Sequence, residues 1–193
     1  MCSSDLPIHL LEIVRPCSGA AAVVVSGYDQ ACDQPQIPVP IMGMGEACTH
    51  NSIIYAPELS QSCIRQAASR AFAMAGCTPG DINLVSLYDC YTITVLITLE
   101  DAGFCPKGEG GNFVQSTDLT YKGQLPCNTH GGQLSCGQPS YAGGMGHVIE
   151  AVRQLRGEAG KRQIRENDLA FVSGNGGVFS TESCLVLGRD GLV

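Results

Sequence analysis

The sequence predicts an α/β class of fold, a layered domain with a mixed sheet and a buried central helix. Three observations lead there. Strand-like and helix-like runs alternate between residues 37 and 103, and two further strand-like runs close the chain. Between them a glycine-rich turn opens into a helix whose first turns are built of small residues. At 193 residues the chain is long enough for one domain with a sizeable core.

The elements follow in order. Residues 1–6, MCSSDL, read as a non-native leader, because one frame of a common sequencing-adapter DNA encodes Cys-Ser-Ser-Asp-Leu. Residues 20–26, AAAVVVS preceded by a Ser18-Gly19 turn, predict a buried strand. A proline-rich linker spans 35–40, and a strand begins within 37–42. Residues 60–76 form the clearest amphipathic helix: Ser60 can cap it, Ile64, Ala67, Ala68, Ala71, Phe72 and Ala75 share a face, and Gly76 closes it. A turn at 78–81 leads to a strand at 82–88. A β-branched, buried helix follows at 92–103, then a glycine-rich loop at 109–112.

Residues 128–155 organise the rest. Pro139 and Ser140 can start a helix, with Ser140 as N-cap. Ala142, Gly143, Gly144 and Gly146 crowd its first turns, where glycine costs about 1 kcal/mol each, so another backbone or a ligand is expected to come close. Met145, Val148, Ile149, Val152 and Leu155 continue at helical spacing, and Arg153 and Arg156 suit its C-terminal end. Strands at 169–173 and 184–188, joined by a turn-rich stretch, complete the chain.

Composition excludes several functions. A net charge of −7 argues against a nucleic-acid binder, which needs a basic face. The eleven cysteines contain no CxxC pair and are scattered through apolar stretches, which argues against structural zinc or a disulfide framework and for a reducing cytosol. No apolar run approaches the roughly 20 residues of a membrane span. Gly43-Met-Gly45 and Gly174-Asn-Gly176 lack the third glycine and the later acidic residue of a dinucleotide motif.

The run GGQLSCGQPSYAGG, residues 131–144, resembles the thiolase motif GGxxxxGHPxGxSG, and EAVRQLRGEAG downstream is similar to the lipid-transfer-protein and sterol-carrier branch of that superfamily. The resemblance covers residue 7 to the C-terminus. It implies one half of an αβαβα sandwich, with 7–34 as the last strand of an N-terminal half and 35–193 as the C-terminal domain. It also implies an enzyme that makes or cleaves carbon–carbon bonds in acyl-CoA thioesters, coenzyme A entering as part of the substrate, with no other cofactor and no metal. A homodimer and an OB-fold/zinc-ribbon partner subunit are implied in the same way. The nucleophilic cysteine of such enzymes belongs to the other half, so this chain alone is expected to be inactive.

Residue by residue, the proton-transfer positions are changed. LYDCYT, residues 87–92, aligns with the NEAF and HDCF motifs, placing Tyr88 where an Asn or His holds an oxyanion-hole water. Gln138 replaces the histidine of GHP; an amide donates a hydrogen bond but cannot shuttle a proton. Ser173 stands at the second acid/base cysteine, within SGNGG. Gly137, Gly143, Gly144, Asn175 and Gly176 are the positions this resemblance sets against the CoA thioester. Tyr141 occupies a glycine position of the motif. Some thiolase-like lipid-transfer proteins lack the Cys and His and act as aldolases with tyrosines, so Tyr88 and Tyr141 become candidates for the two proton roles of a retro-aldol cleavage. His130 is a further candidate proton carrier. A core tyrosine at 88, a hydrogen-bonded core histidine at 147 and a structural Asp89 anchoring backbone amides are the plainer readings. A non-catalytic acyl-CoA or lipid binder remains the alternative of a different class.

Overall fold

Alternation of side chains along LAFVSGNG makes a strand with two apolar faces, and this run is the interior strand β3 (Leu169–Gly176) of a four-stranded sheet. A computed structural model of the chain describes residues 8–192. The other strands are β1 (Ile41–Cys48), β2 (Leu84–Ser86) and β4 (Thr181–Gly188), in the order β1-β4-β3-β2. β4 runs antiparallel to both β1 and β3, and β2 is parallel to β3, so the sheet is mixed.

Helices cover both faces. In chain order they are α1 (Tyr28–Cys32), α2 (Ile64–Ala75), α3 (Thr92–Asp101), α4 (Gly110–Ser116), α5 (Gly132–Cys136) and α6 (Gly143–Leu155). On one face α2 and α3 pack Ile64, Ala68, Phe72 and Leu99 against Val85, Phe171 and Val186. Phe171 is fully buried there, stacked on Phe72 at 5.2 Å between ring centroids. On the other face α6 packs Ala151 and Leu155 against Leu84, Ala170, Val172 and Leu187. Neighbouring residues of β3 therefore serve opposite cores.

α2 lies unusually close to β1. A Cβ on Gly43 would stand 2.1 Å from the Ala71 carbonyl oxygen, and one on Gly45 would stand 1.9 Å from that of Ala67. Glycine on the strand and alanine on the helix together permit this approach.

Four expectations change. Residues 20–26 form no strand; they pair with no strand among the described residues, and Val24 is 97% exposed. Strand propensity without a neighbour to complete the ladder makes no strand. The loop expected at 109–112 is the start of α4, because the Glu100 carboxylate accepts the Gly110 N–H at 2.9 Å and supplies the cap from a neighbouring helix. Ser60 is not the cap of α2: its hydroxyl donates to Glu58, and the helix starts after Cys63. Ser140 does not cap α6 either. Its φ of +49° is outside the extended range an N-cap needs, and a 3-10 turn at Ser140–Ala142 intervenes. The leader expected at residues 1–6 lies outside the described residues.

Candidate active site

The site grows from the C-terminal end of β2. Beyond Ser86 the chain continues as Leu87, Tyr88 and Asp89, and two neighbours hold it straight. Asn128, in the left-handed conformation that asparagine tolerates, accepts the Leu87 N–H with Oδ1 at 2.7 Å and donates Nδ2 to the Leu87 carbonyl at 2.9 Å. On the other side the Ser173 hydroxyl accepts the Tyr88 N–H at 3.1 Å. Ser173 is buried, and its oxygen serves to place Tyr88.

Asp89 pins the glycine-rich turn. Its carboxylate accepts the N–H groups of Gln133 at 2.7 Å and Leu134 at 3.3 Å, capping α5. Gly132, at φ +64°, must be glycine, since a Cβ there would lie 1.9 Å from Asp89 Oδ2. The same carboxylate lies 3.2 Å from Nε2 of His147, which is fully buried on α6 and bonds Ser86 Oγ through Nδ1 at 3.1 Å. The plainer readings of Asp89 and His147 describe their contacts well.

Gln138 arrives from the loop between α5 and α6. Residues 13–17 stitch that loop to the strand end: Val14 N–H donates to the Cys90 carbonyl, and Gln138 N–H donates to that of Arg15. The side chain of Gln138 then donates Nε2–H to the Tyr88 hydroxyl at 2.6 Å. Tyr88 and Gln138, fifty residues apart, meet here as hydrogen-bonded neighbours. Burial pushes the Tyr88 phenol above its ordinary value of 10, the nearby Cys90 and Asp89 add to this, and the neighbouring amides of Gln133 and Gln138 offset part of it.

The small residues of α6 acquire a steric account at one position. A Cβ on Gly143 would lie 2.1 Å from Gln133 Oε1 and 3.2 Å from Gln138 Cγ, whereas Gly144 faces the Tyr88 ring at an ordinary 3.8 Å. What comes close to Gly143 is a side-chain amide. His130 sits edge-on to His147, centroids 5.3 Å apart, with Nδ1 buried and unpartnered; burial first, and then His147, push its pKa below the ordinary 6.5. Tyr141, by contrast, is fully exposed on the Ser140 turn. Gly137, at φ +88°, packs under Cys17. Asn175 and Gly176 lie at the C-terminal end of β3, which runs parallel to β2, and Asn175 Oδ1 accepts the Phe179 N–H there.

Sequence reasoning overlooked Gln133, which is 3% exposed at the centre of this cluster. Its only signal was its place beside two glycines. Among the described residues no group of three or more His, Cys, Asp or Glu side chains could hold a metal ion, and no helix is long and apolar enough to cross a membrane.

The profile of the thiolase C-terminal domain-like family covers residues 45–189. The chain belongs to that family. It is 34% identical over 184 residues to the acetyl-CoA acetyltransferase of Methanothermobacter thermautotrophicus, covering 95% of this chain and 48% of that one. It is 38% identical over 156 residues to the 17-hydroxy-3-oxo-4-pregnene-20-carboxyl-CoA lyase of Mycobacterium tuberculosis, covering 78% and 40%. Among solved structures the Ltp2-ChsH2(DUF35) aldolase superposes with a TM-score of 0.81 at 31% identity, over 97% of this chain and 49% of that one. The chain thus spans about half the length of these relatives, and its thiolase-like α/β fold is shared with them.

Proposed function

We propose that this chain is the C-terminal part of a thiolase-like enzyme, residues 7–34 belonging to its other half, that cleaves a β-hydroxyacyl-CoA by a retro-aldol reaction. The observation that carries the reading is the Tyr88–Gln138 hydrogen bond at 2.6 Å. It joins Tyr88, which the resemblance sets at the Asn or His of one motif, to Gln138, which it sets at the histidine of another, and the two names that speak of a lyase and an aldolase support the same chemistry. Because Gln138 donates to the phenol oxygen, the phenol's own hydrogen is free for substrate. Burial keeps that hydrogen in place at neutral pH, so Tyr88 is the proton donor rather than the base.

The reaction then balances. A base takes the β-hydroxyl proton, the Cα–Cβ bond breaks as the new carbonyl forms, and its electron pair passes into the thioester enolate. Tyr88 protonates Cα. Tyr141, brought into the pocket by whatever covers its exposed side chain, is the acceptor for the β-hydroxyl proton as its phenolate, and after product release it returns that proton through water to the Tyr88 phenolate. His130 is the second candidate acceptor, favoured by an unpartnered Nδ1 and by the burial that keeps its imidazole neutral. An OB-fold/zinc-ribbon subunit and a second copy of the chain are the proposed partners, in the cytoplasm.

The complete gene product, assayed with 3-hydroxybutyryl-CoA for release of acetyl-CoA, tests this. Tyr88→Phe is expected to lower kcat by roughly 100-fold or more with little change in KM. Tyr141→Phe and His130→Ala identify the base. Acyl-CoA binding without turnover would instead support the non-catalytic binder, and transfer of an acetyl group between CoA esters through a cysteine outside this chain would support the acetyltransferase reading that one relative's name suggests.

A further inference from the structure

The thioester reading of the site leaves one buried polar group unmatched. Gln133 spans the inner face of α6 from His147 to Gly143. One end of its amide lies 3.4 Å from His147 Nε2. The other end is buried without a hydrogen-bond partner, against Gly143 and beside the Gln138 side chain.

The neighbours identify the two ends. A carboxylate only accepts, so His147 Nε2, 3.2 Å from Asp89 Oδ1, carries a hydrogen and donates it. A second N–H facing that group would be repelled. The amide is therefore turned end for end from the orientation in which Oε1 faces Gly143, so that its oxygen meets His147 and its NH2 group faces Gly143. Ser86 Oγ–H completes the chain by donating to His147 Nδ1. What remains is a buried NH2 group, fixed through a backbone bond to Asp89, with unmatched hydrogens next to the Tyr88–Gln138 pair. Such a group destabilises the fold unless a ligand satisfies it.

We propose that Gln133 is a substrate-binding residue whose NH2 group donates to the carbonyl oxygen of the bound CoA thioester. The same bond strengthens as that oxygen takes up the enolate charge. Gly143 lacks a side chain so that the amide can reach this point, and His147 with Asp89 positions the amide from behind.

The test uses the complete gene product, acetyl-CoA labelled with carbon-13 at the carbonyl as the bound probe, and 3-hydroxybutyryl-CoA for turnover. Gln133→Met keeps the length of the side chain and removes both amide ends. Expected are a thioester C=O stretch at higher frequency in the variant than in the parent, and a kcat lowered roughly 100-fold while KM stays within about threefold. Gln133→Leu replaces it if the methionine variant folds poorly. Gly143→Ala, which displaces the amide, is expected to move the band the same way. An unchanged band and kcat in a folded variant, with Tyr88→Phe still impaired, overturns the role of Gln133 and leaves the retro-aldol reading intact. A parent protein that neither binds acetyl-CoA nor cleaves the hydroxyacyl-CoA overturns the thioester reading and this inference with it.

Discussion

Glu182 carries its carboxyl on β4 at 1% exposure, with Oε1 unpartnered, and burial followed by the charge of Asp101 raises its pKa to about 9. Folded chains hold this proton up to about pH 9, whereas unfolded chains release it above the ordinary value of 4.5. Stability therefore falls as pH rises through that window, by about 1.4 kcal/mol per pH unit, and no penalty exists below it. Glu182→Gln, neutral throughout, is expected to melt higher than the parent at pH 8 and to differ little at pH 4.5; equal melting shifts at both values would refute the assignment. Single residues also show where sequence reading stops. Tyr88, Gln138 and Asp89 are legible because each falls in a motif with a known register. Gln133 is not, because its meaning lies in the absent side chain of Gly143, ten residues on and one element away.

At the scale of elements, α6 is held by polar contacts that periodicity hides. The apolar positions Val148, Val152 and Leu155 do pack on the sheet, yet His147, Glu150 and Gln154 are buried too. Glu150 accepts from Thr129, Gln154 and Arg162, the last through both Nε and Nη2. Burial alone would raise this carboxyl; those bonds hold it below the ordinary 4.5 instead. The resulting stability is present above 4.5 and lost as pH falls through the lower folded value. Glu150→Ala strands Arg162 and is expected to cost about 3 kcal/mol, toward the low end for a buried pair because Arg162 reaches solvent; urea unfolding measures it. Elements with their own amphipathic pattern, such as α2, were legible. Residues 20–26 and α4 were not, since one needs a partner strand and the other takes its cap from Glu100.

The whole molecule combines three layers, α2 and α3 on one face of the sheet and α6 on the other, with an uncovered apolar segment. Leu10, Leu11, Val24 and Val25 are all more than half exposed. Such surface favours association, so the 193-residue chain on its own is expected to elute as oligomers or to bind a hydrophobic dye; light scattering at micromolar concentration would show a monomer if this is wrong. The layer architecture was legible from element order, whereas strand order was not, because it depends on which edges the long connections reach.

The contact between β1 and α2 has a further consequence, for inheritance. Gly43 and Gly45 admit no added carbon while Ala67 and Ala71 stand opposite, and larger residues at 67 or 71 would push the helix off the strand. The atoms met by an added carbon belong to the backbone of α2, so no substitution on the helix compensates for a side chain at 43 or 45, and the glycines change only if the helix itself moves. Single-step drift is thereby blocked, and strand and helix pass between lineages, or into a chimera, as one indivisible cassette of residues 41–75.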